Sequence, residues 1–278
     1  MKHSASIQPL PLDTADAARS IFNIENVYLA IGDQIDDLFS DLNLSDLDSS
    51  GGKQADSLCM LAMVTLFQYA EKMPDRQAAE ALRRRTDWKY ALHLSLVYPG
   101  FDPGSLCEFR QQLLANAAGQ EIFQELLDRL AQTGLFSSRT KNSMDAKSVI
   151  LDVCTFSRLD CLEQAMGLTL EALAAYQPQL LREITQAHWF ERYQRMPTEF
   201  NQIRTKQDLE ALAGSIGKDT RYLLEAIECC PETNVANLQE IQDLRSIYHK
   251  QFDQHENQVR WLMVCSYCRA SKLDSLTL

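Results

Sequence analysis

The run LCMLAMVTLFQYAEKM, residues 58–73, is apolar nearly all round a helical wheel, with Leu58, Leu61, Ala62, Leu66, Tyr69 and Met73 on one face. A helix with so little polar surface is buried among other elements and is not laid on an outer face. Pro74 interrupts it, and the spacing predicts a second helix over Asp75–Arg85 with Ala78, Ala79 and Leu82 inward. Arg76, Arg83 and Arg84 share the outward side of that helix with Glu80. A short apolar segment over Trp88–Leu96 and the turn-rich YPGFDPG follow. Ser105 and Glu108 form a capping-box pattern for a helix through Leu114. Ile122, Phe123, Leu126, Leu127 and Leu130 mark another amphipathic helix that closes near Gly134.

The charge of this stretch runs against that of the chain. The 278 residues carry a formal net charge of −11, which gives no general attraction to phosphate. Between residues 72 and 93, however, Lys72, Arg76, Arg83, Arg84, Arg85 and Lys89 stand against only Asp75, Glu80 and Asp87. Short helices separated by tight turns, one with an outward arginine row, form the layout of helical DNA-binding bundles. A solvated helix face is the plainer reading of the same charges. Trp88 reads as a core residue before a base-stacking one.

Beyond residue 140, Val149–Leu151 is an apolar run too short to assign by period. CLEQAMGLTLEALAAYQPQLLREI is helical by its Leu and Ala spacing. TKQDLEALAGSIGKDTRYLLEAIECC reads as two helices parted at Gly217 and stopped by Pro231, with another helix over 236–252. Hydrophobic residues make up 45% of the chain and glycine numbers 10, so the class expected is mainly α. The start lacks the apolar segment of a signal peptide, and no stretch is apolar enough to span a bilayer, so a cytoplasmic chain with no membrane partner is expected. Among eight cysteines, Cys265 and Cys268 have zinc-knuckle spacing, but one pair makes half a site. There is no nucleophile elbow and no Gly-rich phosphate loop. Asp152 and Asp160 read as surface residues.

The words QYAEKMPDRQAAEALRRRTDWKYALHLSL, PGFDPGSLCEFRQQLL and HWFERYQRMP, in this order and spacing, resemble bacterial insertion-sequence transposases with an InsH-like N-terminal domain. The likeness continues through MDAKSVI, SRLDCLEQAM and LAGSIGKDTRYLLEAI and covers roughly residues 28–261. It implies a DDE enzyme that holds two Mg²⁺ ions between carboxylates on an RNase H-like core. It also implies an N-terminal helical bundle that binds the inverted repeats of the element as its DNA partner. The organisation implied is an arm and linker over 1–57, the InsH-like domain over 58–136, the start of the catalytic region with a helical insertion over 137–261, and an unrelated tail over 262–278.

The first catalytic and metal-binding aspartate of the family falls on Asp145, although Ala146 and Lys147 follow where relatives carry Ser or Thr. An Asp here equally suits the cap of a following helix. DNA contact falls to Arg76, Arg83 and Arg84, with Lys89 and Arg110 as further phosphate candidates. Relatives continue past a word like QVRW into the strands bearing the second aspartate and the glutamate, whereas here the likeness stops at Trp261. The expectation is therefore a C-terminally truncated, catalytically incomplete transposase with an incomplete RNase H-like core, which does not hold Mg²⁺ stably. It would be bacterial and nucleoid-associated, and would form homo-oligomers or mixed oligomers with an intact transposase. A second class stays open, a helical protein-interaction module or regulator of an intact transposase without DNA-cleaving activity.

Overall fold

The structure, a computed structural model, describes residues 8–43, 55–136, 144–193, 206–230, 234–255 and 258–262. Among these residues the chain is mainly α, as expected, and its strands form one two-stranded hairpin. It divides into two units, Met1–Cys154 and Thr155–Leu278.

Unit 1 is built around α4 (Ala55–Glu71), whose Leu58, Leu61, Ala62, Met63, Val64, Leu66 and Phe67 are all buried. Burial on several sides matches its all-round apolarity. The helix ends with Lys72 in the left-handed region at φ 53, where the Met73 amide donates to the Gln68 carbonyl at 2.8 Å and the Lys72 amide reaches Tyr69 at 3.4 Å. That double return satisfies orphan carbonyls in the manner of a Schellman end, and Pro74 blocks continuation. Next come α5 (Asp75–Arg84) and α6 (Thr86–Ala91), then α7 (Gly104–Ala115) and α8 (Ala117–Leu130). α7 begins one residue before Ser105, and no side chain caps it; Asp102 instead accepts from the Gly104 amide at 2.8 Å. The expected Ser105–Glu108 capping box is therefore not what starts this helix.

The segment expected as an arm and linker, 1–57, is structured where it is described. α1 (Leu12–Ile21) and α2 (Val27–Asp33) pack on α6, and α3 (Ile35–Phe39) packs on α8. Tyr28, Ile31, Ile35, Leu38 and Phe39 join the core around α4. Arg129 on α8 donates to the carbonyls of Leu38 at 2.9 Å and Ser40 at 2.8 Å, satisfying the open end of α3. α2 approaches α6 so closely that a Cβ on Gly32 would lie 2.6 Å from the Tyr90 ring and 2.8 Å from its carbonyl oxygen. The glycine is what permits this contact.

The Val149–Leu151 run lies within a 31-residue helix, α9 (Ala146–Tyr176), and not in a strand. Val149, Ile150, Val153, Phe156 and Leu159 are buried at helical spacing along it. The run whose length left it unassigned is thus helix.

Unit 2 contains α10 (Pro178–Ile184), α11 (Trp189–Tyr193), α12 (Lys206–Glu228), a 3-10 turn at Asn234–Asn237, α13 (Gln239–Gln251), β1 (Phe252–His255) and β2 (Gln258–Trp261). The break expected at Gly217 is absent, since α12 runs through it and the residue is buried. The two strands pair antiparallel with Phe252 opposite Trp261. Arg158 fastens this hairpin by donating to the Leu262 carbonyl at 2.7 Å, with its guanidinium 5.2 Å from the Trp261 ring centre. Leu159, Leu162, Met166, Leu173, Ile216, Leu223, Ile241 and Leu244 form the core of this unit. Among the described residues no helix is long and apolar enough to cross a membrane.

Gly32→Ala is expected to destabilise unit 1 by about 1–3 kcal/mol, because the clash includes backbone. Gly214→Ala, where a Cβ on α12 meets open space, is expected to stabilise by roughly 1 kcal/mol. Urea unfolding midpoints moving in opposite directions would check the pair.

Candidate nucleic-acid interface

α5 carries the candidate surface, and both of its ends are tied down by charge. At its first residue, Asp75 accepts a fork from Arg110 of α7, with Nη1 at 2.8 Å and Nη2 at 2.6 Å. Gln68 of α4 adds a bond to the same carboxylate at 2.8 Å. Just past its last turn, Arg85 reaches Glu71 at 2.6 Å and Asp87 at 2.8 Å. The Arg85 guanidinium lies 4.8 Å from the Trp88 ring centre and 5.1 Å from that of Tyr28. Tyr28 donates its hydroxyl to Glu71, closing the network. Burial opposes the charge on Arg85, yet Asp87 and Glu71 outweigh it and hold the guanidinium firmly protonated. Burial also pushes the Tyr28 hydroxyl far above its ordinary range, with the Glu71 charge adding to it.

Between these ties Ala78, Ala79 and Leu82 face the core, while Arg76, Arg83 and Arg84 are exposed. This much agrees with the sequence pattern. Arg83 bonds Glu80 at 2.7 Å, and the Arg84 guanidinium also pairs with Glu80. The bond from Arg83 and the charges of both arginines draw the Glu80 carboxyl below its ordinary value.

Two of the expected phosphate contacts are not on this surface. Arg110 is 1% exposed and committed to Asp75. Lys89 is 4% exposed and donates its ammonium to the Leu96 carbonyl, with burial pushing its pKa down. A cation that deep cannot meet a phosphate, so both are corrected to internal ties. Trp88, fully buried against Phe67 at 5.1 Å between ring centres, is a core residue as its pattern suggested. The partners that draw Arg85 and Arg110 inward, Glu71 and Asp75, lie 14 and 35 residues away in sequence. No local pattern reveals them.

Asp145 stands immediately before α9 and caps it. Its carboxylate accepts from the Ser148 amide at 3.1 Å and the Ser148 hydroxyl at 2.5 Å, and the Ser148 bonds lower its pKa. Both oxygens face the helix they cap. Among the described residues no group of three or more His, Cys, Asp or Glu side chains gathers as a metal site would require. Asp145 stands here as a helix cap, and a two-Mg²⁺ centre would need further carboxylate oxygens converging on it. Of its acidic neighbours in sequence, Asp152 is exposed as expected. Asp160 is buried, a correction, and accepts from Gln164 at 2.6 Å.

Unit 2 holds one cluster that the sequence did not disclose. Asp219, 8% exposed on α12, accepts from His188 Nε2 at 2.9 Å, Arg192 at 2.5 Å and the Tyr193 hydroxyl at 2.8 Å. These donors come from the HWFERY word, so α11 is pinned to α12 through a single carboxylate. Cys265 and Cys268 lie outside the described residues.

Residues 18–112 match the family model described as Transposase domain (DUF772). The match supports a transposase family. It begins inside α1 and ends within α7, so it takes in the whole of α5 and both of its charged anchors, but not Asp145. No curated protein and no solved structure matches the chain.

Removing one partner of a buried pair leaves the other charge uncompensated, so Asp75→Ala is expected to cost about 3–5 kcal/mol. Asp145→Ala is expected to cost about 1 kcal/mol, the worth of a helix cap. The folded-state pKa of Asp145 is lowered, so the cap contributes fully above the unfolded value and is lost as pH falls through the folded one. Urea unfolding should therefore show the wild-type advantage over Asp145→Ala shrinking below about pH 4.

Proposed function

We propose that the chain is an InsH-like transposase relative that grips duplex DNA through the exposed arginines of α5 and does not cut it with Asp145. The observation that carries this reading is the position of Arg76, Arg83 and Arg84, on the solvent side of a helix clamped at both ends inside the segment that matches a transposase domain. A clamped helix holds its cations in fixed register, which suits contacts to successive phosphates. Such contacts position a protein on DNA, and the ends of a mobile element are the target that the family reading supplies. The capping role of Asp145 supports the non-cutting half of the proposal, because its oxygens are already engaged.

The alternative is a helical protein-interaction module, in which the same arginines meet acidic side chains of a partner. The two readings part on DNA itself. The purified chain is expected to bind labelled duplex with an affinity that falls steeply with salt. Arg76→Ala/Arg83→Ala/Arg84→Ala together should weaken binding and reduce the magnitude of the log K against log salt slope by about 2–3. Circular dichroism should stay unchanged, since none of the three is buried. A triple variant that binds like wild type would defeat the reading. Strand nicking in Mg²⁺ that Asp145→Ala abolishes would defeat its non-cutting half.

A further inference from the structure

We propose that Glu80 is a resident competitor for the phosphate that the α5 arginines bind, so that DNA affinity is set by displacing this one carboxylate. The inference rests on the reading of α5 as a DNA-contacting helix and adds a regulator within it. Glu80 lies midway along the outward row, four residues after Arg76, three before Arg83 and four before Arg84. Side chains at these spacings are neighbours on a helix surface.

The geometry resembles that of a phosphate held by two guanidinium groups. Arg83 Nη2 lies 2.7 Å from Glu80 Oε2 and 2.9 Å from Oε1, and Arg84 Nε contacts Oε1. Both carboxylate oxygens are therefore taken up by the two cations proposed to receive DNA. A carboxylate and a phosphate present comparable oxygen pairs to an arginine fork. Nothing buries the arrangement, with side-chain exposures of 38% for Glu80, 55% for Arg83 and 73% for Arg84. Ion pairs so open to water are weak and exchange easily. They contrast with the nearly enclosed Arg110–Asp75 pair, where the arginine side chain is 1% exposed. The Arg110–Asp75 anchor stays closed while the outward pairs can open.

In the free protein Glu80 offsets part of the positive charge of the row and holds two arginines along the helix. In the complex a phosphate replaces it, and the freed carboxylate turns to solvent. The cost of that replacement lowers affinity for any duplex, whatever its sequence.

Glu80→Gln keeps the size of the side chain and removes its charge. Its affinity for a labelled mixed-sequence duplex at low salt is expected to rise about threefold to tenfold over wild type, the scale of two exposed ion pairs. The gain should vanish in the Arg83→Ala/Arg84→Ala background, a double-mutant cycle that isolates the coupling. Asp128→Asn makes the same change of net charge on α8, where Asp128 bonds Gln124 and no arginine of the row, and should give no comparable gain. An unchanged or weaker Glu80→Gln would overturn the inference. So would an equal gain from Asp128→Asn, or a gain that persists without the two arginines. In each of these cases the loss of binding in the triple arginine variant would leave the parent reading standing. If wild type fails to bind duplex, or the triple variant binds equally well, the parent reading falls and this inference falls with it.

Discussion

A buried charge must be answered by another, and that requirement orders unit 1. Arg110 is almost wholly enclosed, so Asp75 has to meet it, and Asp75 is the first residue of α5. Arg85, directly after the helix, has to meet Glu71 and Asp87. Breaking the Arg110–Asp75 tie strands a charge in a medium of low polarity, a cost far above that of losing an exposed pair, whereas Arg85, its side chain 31% exposed, is partly screened by water. The direction of α5 against α4, α6 and α7 follows from these ties together with the burial of Ala78, Ala79 and Leu82. The outward arginines are then presented by exclusion. The helix has only one wet side left on which to put them.

The basic segment therefore holds internal ties and an exposed row within one stretch of chain, and the sequence separates them only in part. Period 3.6 distinguishes Ala78, Ala79 and Leu82 from Arg76, Arg83 and Arg84 because the sorting is local to one helix. It says nothing about Arg85, Lys89 or Arg110, whose direction depends on acceptors brought near by the fold. α4 was legible for the same reason that α5 was, its apolar surface being a property of its own residues. The helices before residue 43 were not legible as such. α1 buries only small or polar side chains, Thr14, Ala15 and Ala18, and these leave little hydrophobic signal. Gly217 misleads in the opposite sense. A helix-interior glycine costs only about 1 kcal/mol, and the packing of Ala213, Ile216, Leu223 and Ile227 outweighs it.

Net charge is likewise a poor guide to the local sign of a surface in this chain. The described segment before residue 44 carries Asp13, Asp16, Glu25, Asp33, Asp36, Asp37 and Asp41 against Arg19 alone. Much of the acidity of unit 1 therefore lies on α1–α3 and the turns beside them. At physiological ionic strength exposed charges act over about 8 Å, so the local sign at α5 matters more than the chain total. Within that range the decisive neighbour of Arg83 and Arg84 is Glu80, on the same helix.

Four acidic residues at helix ends and crossings are each engaged by donors. Asp75 is held by Arg110, and Glu71 by Arg85 and Tyr28. Asp145 is held by Ser148, and Asp219 by His188, Arg192 and Tyr193. A divalent cation asks for several carboxylate oxygens aimed at one point and free of stronger donors. These four side chains point instead to four separate ties, each of which fixes a helix end or a helix crossing. Recruiting Asp145 to a metal would uncap α9, and recruiting Asp219 would release α11. These four carboxylates hold helices in place, and Arg83 and Arg84 are left on the solvent side of α5 beside Glu80.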